Sequence, residues 1–590
     1  MKYSDYFMDI LKEQGYTHCF FVPGGNVMHL LESARTRFQC ISNVHEVSSV
    51  IGAEYFNEAS RDNSQAFALV TAGPGITNTI TGIASSWLES RHVLIVGGQA
   101  KVSDLSDGSV RQIGHQEIGG VSLTSSITKV SRQIKLPIPK NQIIAIIDEG
   151  RIGRPGPVFI EMCLDVSALI VPVINETQIN KLSNLTTSAK EIENFMQEIN
   201  ELLTKSERPL ILLGGGLNRE LVHSLSSEIF RKKIPIAATF NGADRAPYDY
   251  AYFCGRPNWY GMRWANLLIQ QCDLLITLGT RLGIQQTGFN WEEFAANAKV
   301  VQVDIDENEL RKGFPQTELA IKANANDLLP RLIESYNLEP KEWLSFIEDI
   351  REGLDNPEKH NNRSGEGFIE LQSFLYDLSD FSSASDVIIP CSSGGSFTGM
   401  MQMFRNKLGQ RIITDSNLAS MGYGLPGAIG ASLANPTNRV ILVEGDGGFA
   451  QNMQEMGTVV RNKLNLKIFL IDNGGYGTIK NSQRASFDGN FIGCDSESGL
   501  LLPKWETFFL SYGIHAFILT PDNKFTSDFE DKMKSDTPQV FIVKIDPNQE
   551  FYPKIVSRKN ENGKIVSNPL HLMNPPLSDT ATKMYMPWIN

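Results

Sequence analysis

Short apolar runs alternate with amphipathic segments along most of the chain. The runs are rich in Val, Ile and Leu, which predicts buried β-strands. The predicted strands cover residues 66–70, 92–96, 209–213, 274–278, 300–303, 440–443 and 468–471. Because helical segments separate consecutive strands, the pattern predicts an α/β fold with doubly wound parallel sheets.

Two polar stretches divide these strands into three sets. Residues 167–188 are rich in Asn, Thr, Ser and Lys, and residues 353–367 read GLDNPEKHNNRSGEG. Such compositions are typical of exposed connectors between domains. We therefore predict three domains, at residues 1–166, 189–352 and 368–590.

The first and third sets share a weak internal similarity. Pro74 and Pro426 each lie among glycines, and each opens a small-residue helix that leads into a strand of the form V-x-I/L-V. Two related domains flanking a third would explain this, and so would convergent α/β sequence patterns. The sequence comparison alone leaves both explanations open.

Composition and charge exclude several classes of protein. The chain has 590 residues with 41% hydrophobic residues, which is ordinary globular usage, and its net charge of −12 gives no general attraction for nucleic acid or anionic membrane. Seven scattered cysteines without a C-x-x-C pair suit reduced thiols. The N-terminal residues lack a signal-peptide core and no long apolar run occurs, so we expect a cytoplasmic protein with no nucleic-acid and no membrane partner.

The segment at residues 445–475 carries the most informative chemistry. One predicted strand ends at Gly445-Asp446-Gly447, and the next ends just before Asn473. Parallel strands deliver their carboxyl ends to the same edge, so Asp446 and Asn473 should converge although 27 positions separate them. Carboxylate and amide oxygens are ligands that Mg²⁺ prefers beside a diphosphate. The alternative is a glycine turn in which Asp446 only caps a helix.

A second candidate residue is Glu46. Apolar residues at Val47, Val50, Ile51 and Tyr55 form a helical stripe that places Glu46 in the first helical turn. A carboxyl group there can serve acid–base catalysis. It can equally be a favourable charge at a helix N-terminus.

Together these segments resemble the thiamine diphosphate (ThDP) enzymes, a family of decarboxylases and carboligases. The resemblance lies in GDG followed by about two dozen residues and Asn-Asn, with Asp472 here in place of the first Asn. It extends to VPGGN at residues 22–26, HEVSSVIGAEYF at 45–56 and TAGPGITN at 71–78, which follow the order of the family's pyrimidine-binding domain. The three domains would then be pyrimidine-binding, central FAD-binding (Rossmann-like) and diphosphate-binding.

The resemblance implies roles for individual residues. Asp446, Asn473 and the carbonyl of Gly475 would hold Mg²⁺, and Glu46 would be the catalytic glutamate beside N1′ of the aminopyrimidine. Met421 would be the apolar wedge beneath the bent cofactor, although a methionine there could also be plain core. The implied ThDP-binding residues are Pro23, Glu46, Thr71, Asn78, Gly394, Gly395, Ser396, Met421, Gly445, Asp446, Gly447, Gly448, Asn473 and Gly475.

Over nearly the whole chain the resemblance is to the acetohydroxyacid (acetolactate) synthase branch, whose middle domain binds FAD. RPLILLGGGLN at residues 208–218 is one of several segments in that order. The implied FAD contacts are Gly214, Gly215, Gly216, Thr239, Asn258, Trp259, Tyr260, Gly279, Arg281, Asp304 and Ile305. The chain departs from the branch at Trp259-Tyr260, which replace Met-His, at Gln285, which replaces Arg, and at Asn324, which replaces an acidic residue. An empty or ADP-binding middle domain is the alternative.

The implied reaction decarboxylates pyruvate or another small 2-oxoacid and joins the two-carbon unit to a carbonyl acceptor. Glu46, Gly25, Gln116, Met421 and Ile479 are the candidate catalytic residues. The family's Trp just after Ile479 is absent, so we expect a wider acceptor pocket that can take a bulkier ketone or a keto-sugar. Gly394-Gly395-Ser396 replaces the family's Gly-Gln-His, which removes two polar groups from the cofactor's pyrimidine side.

In the family the cofactor lies between two chains, so a homodimer or a dimer of dimers is implied, with Glu46 of one chain facing Asp446 of the other. Three alternatives stay open. The first is a non-ligating 2-oxoacid decarboxylase, although that class usually has adjacent histidines and this chain has no His-His pair. The others are a pyruvate oxidase and a catalytically silent regulatory paralogue.

Overall fold

The computed structural model describes residues 1–172, 187–560 and 563–589. Most of the first predicted connector, at 173–186, lies outside the described residues, as do residues 561, 562 and 590 of the third predicted domain. Three parallel sheets with helices between their strands form the chain, which confirms the predicted α/β class. The domain boundaries themselves stay a prediction. None of the described helices is both long and apolar enough to cross a bilayer.

The first sheet has six strands in the order β2-β1-β3-β4-β6-β5. Its strands are β1 (Tyr16–Phe21), β2 (Gln39–Ser42), β3 (Gln65–Val70), β4 (Leu94–Gln99), β5 (Val130–Ile134) and β6 (Val158–Cys163). Its helices are α1 (Tyr3–Glu13), α2 (Met28–Arg35), α3 (Glu46–Ala59), α4 (Pro74–Thr77), α5 (Ile80–Leu88), α6 (Gly120–Thr124), α7 (Lys140–Glu149) and α8 (Leu164–Ala168). Strands β3, β4 and β6 are almost wholly buried, as expected for a sheet covered on both faces.

The middle sheet has five strands in the order β11-β10-β9-β7-β8. Its strands are β7 (Pro209–Leu213), β8 (Ile236–Ala238), β9 (Leu274–Leu278), β10 (Lys299–Asp304) and β11 (Leu319–Lys322). Its helices are α9 (Ala189–Leu203), α10 (Arg219–Arg231), α11 (Arg263–Gln271), α12 (Glu307–Arg311), α13 (Ala325–Ser335) and α14 (Lys341–Leu354). Strands β7 and β9 coincide with the predicted runs, because an apolar stretch buried on both faces marks its own ends in the sequence.

The third sheet has six strands in the order β13-β12-β14-β15-β17-β16. Its strands are β12 (Val387–Ile389), β13 (Arg411–Ile412), β14 (Val440–Gly445), β15 (Leu466–Asp472), β16 (Phe517–Leu519) and β17 (Gln539–Lys544). Its helices are α15 (Leu371–Leu378), α16 (Gly394–Met403), α17 (Gly424–Ala434), α18 (Asp446–Phe449), α19 (Met456–Arg461), α20 (Gly477–Ser486), α21 (Trp505–Ser511) and α22 (Ser527–Lys534).

The chain after the third sheet returns to the middle domain. Short antiparallel pairs form between β18 (Lys554–Ile555) and β21 (Met573–Asn574) and between β19 (Ser557–Lys559) and β20 (Ile565–Ser567), before α23 (Asp579–Tyr585). Ile555, Leu570 and Met573 are buried in the core of the middle domain. This segment therefore ties the third sheet to the second.

The first and third sheets have the same topology, since each runs second-first-third-fourth-sixth-fifth in strand order. Two related domains flanking a third is therefore the explanation that the structure supports. The sequence comparison, however, paired the wrong units. Helix α17 follows the second strand of its sheet, so its counterpart is α3, whereas the Pro74 helix α4 follows a third strand and corresponds to α18.

These two equivalent helices, α3 and α17, pack against each other and join the first and third domains. Residues 46–56 of α3 are all buried, so the helix is covered on every side and its apolar stripe is only one part of the buried surface. Both helices are closely approached at glycines: a Cβ on Gly430 would lie 2.1 Å from the carbonyl oxygen of Gly52. Small residues permit this contact, and one apolar core spans both domains.

Candidate active site

Two loops at the carboxyl edge of the first sheet lie where its strand order reverses, between β1 and β3. The backbone N–H of Asn26, after β1, donates to Oγ1 of Thr71, after β3, at 3.3 Å. A Cβ on Gly24 would lie 2.4 Å from the Cβ of Thr71, so only glycine fits at position 24 of the β1 loop, between Pro23 and Gly25. Ligands of open α/β sheets bind at such reversals.

Gln116 joins this cluster from a distant loop. Its carbonyl oxygen lies 2.8 Å from where a Cβ on Gly73 would be, in the TAGPG segment. Gln116 itself has φ +59°, a left-handed conformation unusual for a residue with a side chain. Cys391 and Ala419, on the third domain's cavity described below, have φ +54° each. Unfavourable backbone conformations of this kind concentrate at functional sites.

Glu46 is the first residue of α3, and its side chain is 9% exposed. Its Oε2 accepts a hydrogen bond from Nδ2 of Asn78 at 2.9 Å. Asn78 ends α4, the helix that follows the Thr71 loop. The sequence-predicted residues Glu46, Asn78 and Thr71 therefore lie at one edge of the first sheet, with the carboxylate held in a fixed direction.

Three candidate cation ligands lie together at the carboxyl edge of the third sheet. One terminal atom of the Asn473 amide lies 3.2 Å from Oδ1 of Asp446 and 2.8 Å from the carbonyl oxygen of Gly475. The hydrogen-bonding groups favour the amide nitrogen at this position, where it donates to both oxygens. Turned by 180°, the amide would place its oxygen there, at the spacing that adjacent oxygen ligands of one hard cation have. Gly475 has φ +148°, and a Cβ there would lie 2.1 Å from the carbonyl oxygen of Cys494, so no side chain fits.

The carboxylate of Asp446 is fixed by backbone donors. The N–H groups of Gly474 and Gly475 donate to its Oδ2 at 2.8 and 3.0 Å. Burial and the neighbouring charge of Asp472 raise the pKa of Asp446 well above its usual range. Asp472, which replaces the family's first Asn, is itself paired with Lys544 on the adjacent strand. A dication beside Asp446 would offset the cost of burying that charge.

A cavity of about 330 Å³ adjoins these oxygens. Its lining includes all the site residues predicted in the third domain, namely Gly394, Gly395, Ser396, Met421, Gly445, Asp446, Gly447, Gly448, Asn473, Gly475 and Ile479. Every lining residue falls within residues 371–551, so Glu46 and its neighbours are not part of this cavity. Met421 and Ile479 are 38% and 49% exposed, which is unusual for large apolar side chains.

No sequence motif marks Phe551, which also lines this cavity. A Cβ on Gly395 would lie 2.5 Å from the ring of Phe551. The ring therefore occupies the space that a larger residue at position 395 would need. Leu371, Cys391 and Ile545 were missed as well, because no motif marks an apolar residue that reaches a site only through tertiary packing.

A second cleft, of about 740 Å³, opens at the carboxyl edge of the middle sheet. The predicted residues that line it are Gly215, Gly216, Thr239, Asn258, Gly279, Arg281, Asp304 and Ile305. Gly214 lies beneath them, where a Cβ would be 2.2 Å from the carbonyl oxygen of Gly279. The loops after β7 and β9 thus meet through glycines where the strand order reverses, an arrangement suited to a dinucleotide.

Charged side chains are among the residues that line this cleft. Arg154 lines it and pairs with Asp306 and Glu309 just beyond β10. Asp304, at the end of β10, has its pKa raised by burial. An acidic residue at a strand end can bind ribose hydroxyls.

Trp259 and Tyr260, two of the predicted FAD contacts, do not line the cleft. The ring of Trp259 packs edge-on against Tyr260 and Phe289, and its carbonyl oxygen accepts a hydrogen bond from the N–H of Ile555.

Models of three thiamine pyrophosphate enzyme domains match the chain in order. The N-terminal TPP binding domain matches residues 1–122, the central domain matches 196–332 and the C-terminal TPP binding domain matches 393–543. The chain belongs to the thiamine pyrophosphate enzyme family. The edge that carries Glu46 lies in the first match, and the oxygens of Asp446, Asn473 and Gly475 lie in the third.

Curated relatives match almost end to end. An acetolactate synthase isozyme 2 large subunit of Escherichia coli is 28% identical over 562 residues, which cover 94% of this chain and 97% of the relative. Acetolactate synthase large subunits of Lactococcus lactis and Porphyra purpurea are 29% and 27% identical, each over 572 residues and 94% of this chain, and 94% and 93% of their own lengths. The chain is therefore a ThDP enzyme of the acetolactate synthase-like branch.

Family membership makes sense of the two separate edges. The third domain offers glycines at two helix N-termini, Gly394 of α16 and Gly447 of α18, where backbone amides can meet a diphosphate. The oxygens at Asp446 suit the cation that accompanies it. The residues present fit the diphosphate end of ThDP, and Glu46 lies at the other edge, in the first domain.

Proposed function

We propose that this protein is a ThDP-dependent carboligase that decarboxylates pyruvate, or another small 2-oxoacid, and transfers the two-carbon unit to a carbonyl acceptor. The relatives named above are acetolactate synthases, which supports this reaction class. The observation that carries the proposal is the pair of polar clusters at the carboxyl edges of the first and third sheets. One holds a buried Glu46 carboxylate bonded to Asn78, and the other holds the Asn473 amide beside the carboxylate of Asp446 and the carbonyl of Gly475.

Mg²⁺ would be held by Asp446, Asn473 and the carbonyl of Gly475, with the diphosphate on the amides of Gly447 and Gly448. When bound, ThDP supplies the electron sink for breaking and forming the carbon–carbon bond. Glu46 would exchange a proton with N1′ of the aminopyrimidine, and the hydrogen bond from Asn78 keeps that carboxyl group in place.

The remaining candidates shape the space around the cofactor. Met421 and Ile479 are exposed on the cavity wall, where Met421 would support the bent cofactor and Ile479 would pack beside the substrate. Gly25 and Gln116 lie near the Thr71 loop at the other edge. There the backbone of Gly25 would face a developing alkoxide and the Gln116 amide would orient a carboxylate.

FAD is proposed for the middle cleft. Its eight predicted contacts share one cavity of about 740 Å³, and its glycines permit a diphosphate to approach the strand ends. Trp259 and Tyr260 do not line the cleft, so FAD would bind there without them. ADP is the competing occupant, because it needs only the diphosphate and ribose part of the cleft.

A homodimer is proposed as the smallest active unit. The cavity beside Asp446 takes all its lining from residues 371–551, so Glu46 of the same chain does not complete it. A second chain would bring its own Glu46 edge to the exposed Met421 and Ile479. A dimer of dimers satisfies the same requirement.

The acceptor is proposed to be bulkier than that of a typical acetolactate synthase. Ile479 lies on α20, and no residue of that helix is buried. The segment KNSQRASFDGN that follows Ile479 has no Trp, and none of its residues lines the cavity. A branched ketone or a keto-sugar would fit such an opening.

The test is to supply the purified protein with ThDP, Mg²⁺ and pyruvate, with and without 2-ketobutyrate, a branched ketone or a keto-sugar, and to identify the products by mass spectrometry. We expect carbon–carbon bonded products that contain a two-carbon unit from labelled pyruvate. Acetaldehyde alone would indicate a non-ligating decarboxylase, and acetate with flavin bleaching would indicate an oxidase. No product from any 2-oxoacid would overturn the proposal.

A further inference from the structure

A buried carboxylate of the third domain binds the segment that leads into the Glu46 helix. Glu455 is fully buried, and its Oε1 accepts the backbone N–H groups of Val44 and His45 at 3.0 and 3.1 Å. Its Oε2 accepts hydrogen bonds from Nδ2 of Asn43 at 3.0 Å and from Oγ1 of Thr458 at 2.8 Å. All four donors are neutral, and among the ion pairs of the described residues none involves Glu455.

The position of these donors explains what the carboxylate does. Residues 43–45 connect β2 to α3, and Glu46 is the first residue of α3. His45 is the N-cap of α3, yet its side chain makes no capping hydrogen bond. Glu455 therefore supplies an anion at this helix N-terminus through hydrogen bonds that span 411 and 410 positions of the sequence.

Two further bonds extend the same contact to the body of α3. Oγ of Ser49, one turn into the helix, donates to Oδ1 of Asn43 at 3.2 Å, so the residue that Glu455 holds also holds the helix. Oγ of Ser48 donates to Oδ1 of Asn452 at 3.4 Å. The N-terminal turn of α3 is thus fixed from the third domain on two sides.

We propose that Glu455 is a positioning residue for Glu46, which rests on the proposed ThDP function. Glu455 does not line the cavity beside Asp446. Its carboxylate sets the place and direction of the first turn of α3, and so the point from which the Glu46 side chain reaches the aminopyrimidine. Small displacements of a catalytic group lower rates steeply.

The consequence for substitutions follows from the four hydrogen bonds. In Glu455→Gln, one oxygen can still accept from Val44 and His45, but the new amide N–H₂ would face the Asn43 donor. In Glu455→Asp, the carboxylate is one methylene farther from the loop. We expect each variant to lower kcat by about 10- to 100-fold while leaving the KM for pyruvate and the half-saturating ThDP concentration within about twofold.

A readout independent of turnover is hydrogen–deuterium exchange of the full-length protein without added cofactor. Peptides covering residues 43–49 should exchange faster in Glu455→Gln than in the wild-type protein, because Val44 and His45 lose a charged acceptor. The matched control is Asp273→Asn. Asp273 likewise accepts two successive backbone N–H groups, from Glu207 and Arg208, at 2.8 and 2.9 Å, but in the middle domain.

A double-variant cycle separates this inference from the function on which it rests. If Glu46→Gln keeps wild-type exchange of the ThDP C2 proton, the proposed function is wrong. If Glu46→Gln loses that exchange, Glu455→Gln should slow it too, and Glu46→Gln/Glu455→Gln should be no slower than Glu46→Gln alone. The positioning role would be overturned if Glu455→Gln exchanged the ThDP C2 proton at the wild-type rate. It would also be overturned if slower exchange of that proton came with equal falls in melting temperature and ThDP affinity.

Discussion

Gly52 and Gly430 meet where α3 and α17 cross. Position 430 has no room for a Cβ, because that atom would lie 2.1 Å from the carbonyl oxygen of Gly52. The two helices are topological equivalents in the first and third domains. The contact therefore joins the domain of Glu46 to that of Asp446 within one chain. It also fixes how the two cofactor-binding edges of that chain are oriented.

We expect Gly430→Ala to lower the free energy of unfolding by about 1–3 kcal/mol, because the added methyl group must push the helices apart. Urea unfolding measures the effect. The control is Gly457→Ala in α19, where the new Cβ would meet only Tyr512 at an ordinary 3.6 Å and a helix-favouring residue replaces glycine. Equal stability of the two variants would contradict the close-packing argument.

Gly395 and Phe551 should behave as a coupled pair. Gly395→Ala places a methyl group 2.5 Å from the Phe551 ring, so we expect weaker ThDP binding as α16 or the ring shifts. Phe551→Ala removes the clash and should restore part of the affinity in the double variant. Titration of tryptophan fluorescence with ThDP and Mg²⁺ gives the three affinities. If the losses of ThDP affinity in the two single variants simply add in the double variant, the Phe551 ring is not what requires glycine at position 395.

Asp446 and Asp472 are neighbouring acids with different expected roles. Asp446→Asn removes the charged member of the proposed cation site, so Mg²⁺-dependent ThDP binding should fall by at least about tenfold. Asp472→Asn loses its pairing with Lys544 but keeps the Asp446 site, so it should retain most binding. Calorimetric titration with ThDP at several Mg²⁺ concentrations distinguishes them. Similar losses in both variants would argue against Asp446 as the ligand.

The middle cleft offers a matched pair of glycines for FAD. Gly214→Ala would place a Cβ 2.2 Å from the Gly279 carbonyl oxygen, so the loops after β7 and β9 must separate and FAD should be lost. Gly283 lines the same cleft, but its Cβ would meet nothing closer than Arg281 at 3.5 Å. Gly283→Ala should therefore retain the flavin. Flavin absorbance after reconstitution and gel filtration measures both.

His92 should contribute to loss of stability in acid. Burial, helped by the charge of Arg151, lowers the pKa of His92 from 6.5 to about 3. Below pH 6.5 the unfolded chain binds a proton there and the folded chain does not, so stability falls as pH falls toward 3. At pH 5 this amounts to about 2 kcal/mol.

His92→Gln still offers the Tyr16 hydroxyl a partner, at the position where the imidazole Nε2 lies 3.2 Å away, but it does not titrate. The urea midpoint of this variant should therefore fall less between pH 7 and pH 5 than that of the wild-type protein. His360→Gln, at an exposed histidine, should follow the wild-type slope. Parallel slopes for all three proteins would remove His92 from the explanation.

Local sequence was enough for the elements whose signal is local. The strands β7 and β9 could be predicted because a run of apolar residues buried on both faces needs no partner to be recognised. The edge cluster at Asp446 and Asn473 could be expected because parallel strands always end at one edge. Glu46 at the start of a helix followed from its apolar stripe.

Other features depended on contacts between distant parts of the chain. The wrong pairing of the Pro74 and Pro426 helices arose because similar small-residue sequences occur after different strands, and only the strand order shows which units correspond. Phe551 and Glu455 carried no recognisable pattern. Each acts through a neighbour, Gly395 or residues 43–45, that lies far away in the sequence.

The sequence by itself therefore determined the α/β class, the family and the residues whose chemistry is written into short motifs, because periodicity and motif spacing are properties of neighbouring positions. Only the tertiary structure decided that α3 is buried by α17, that the cavity beside Asp446 excludes Glu46 of its own chain, and that Glu455 holds the loop before Glu46. These are long-range contacts. Close packing and the pairing of buried polar groups select them over the whole chain, and no local stretch encodes them.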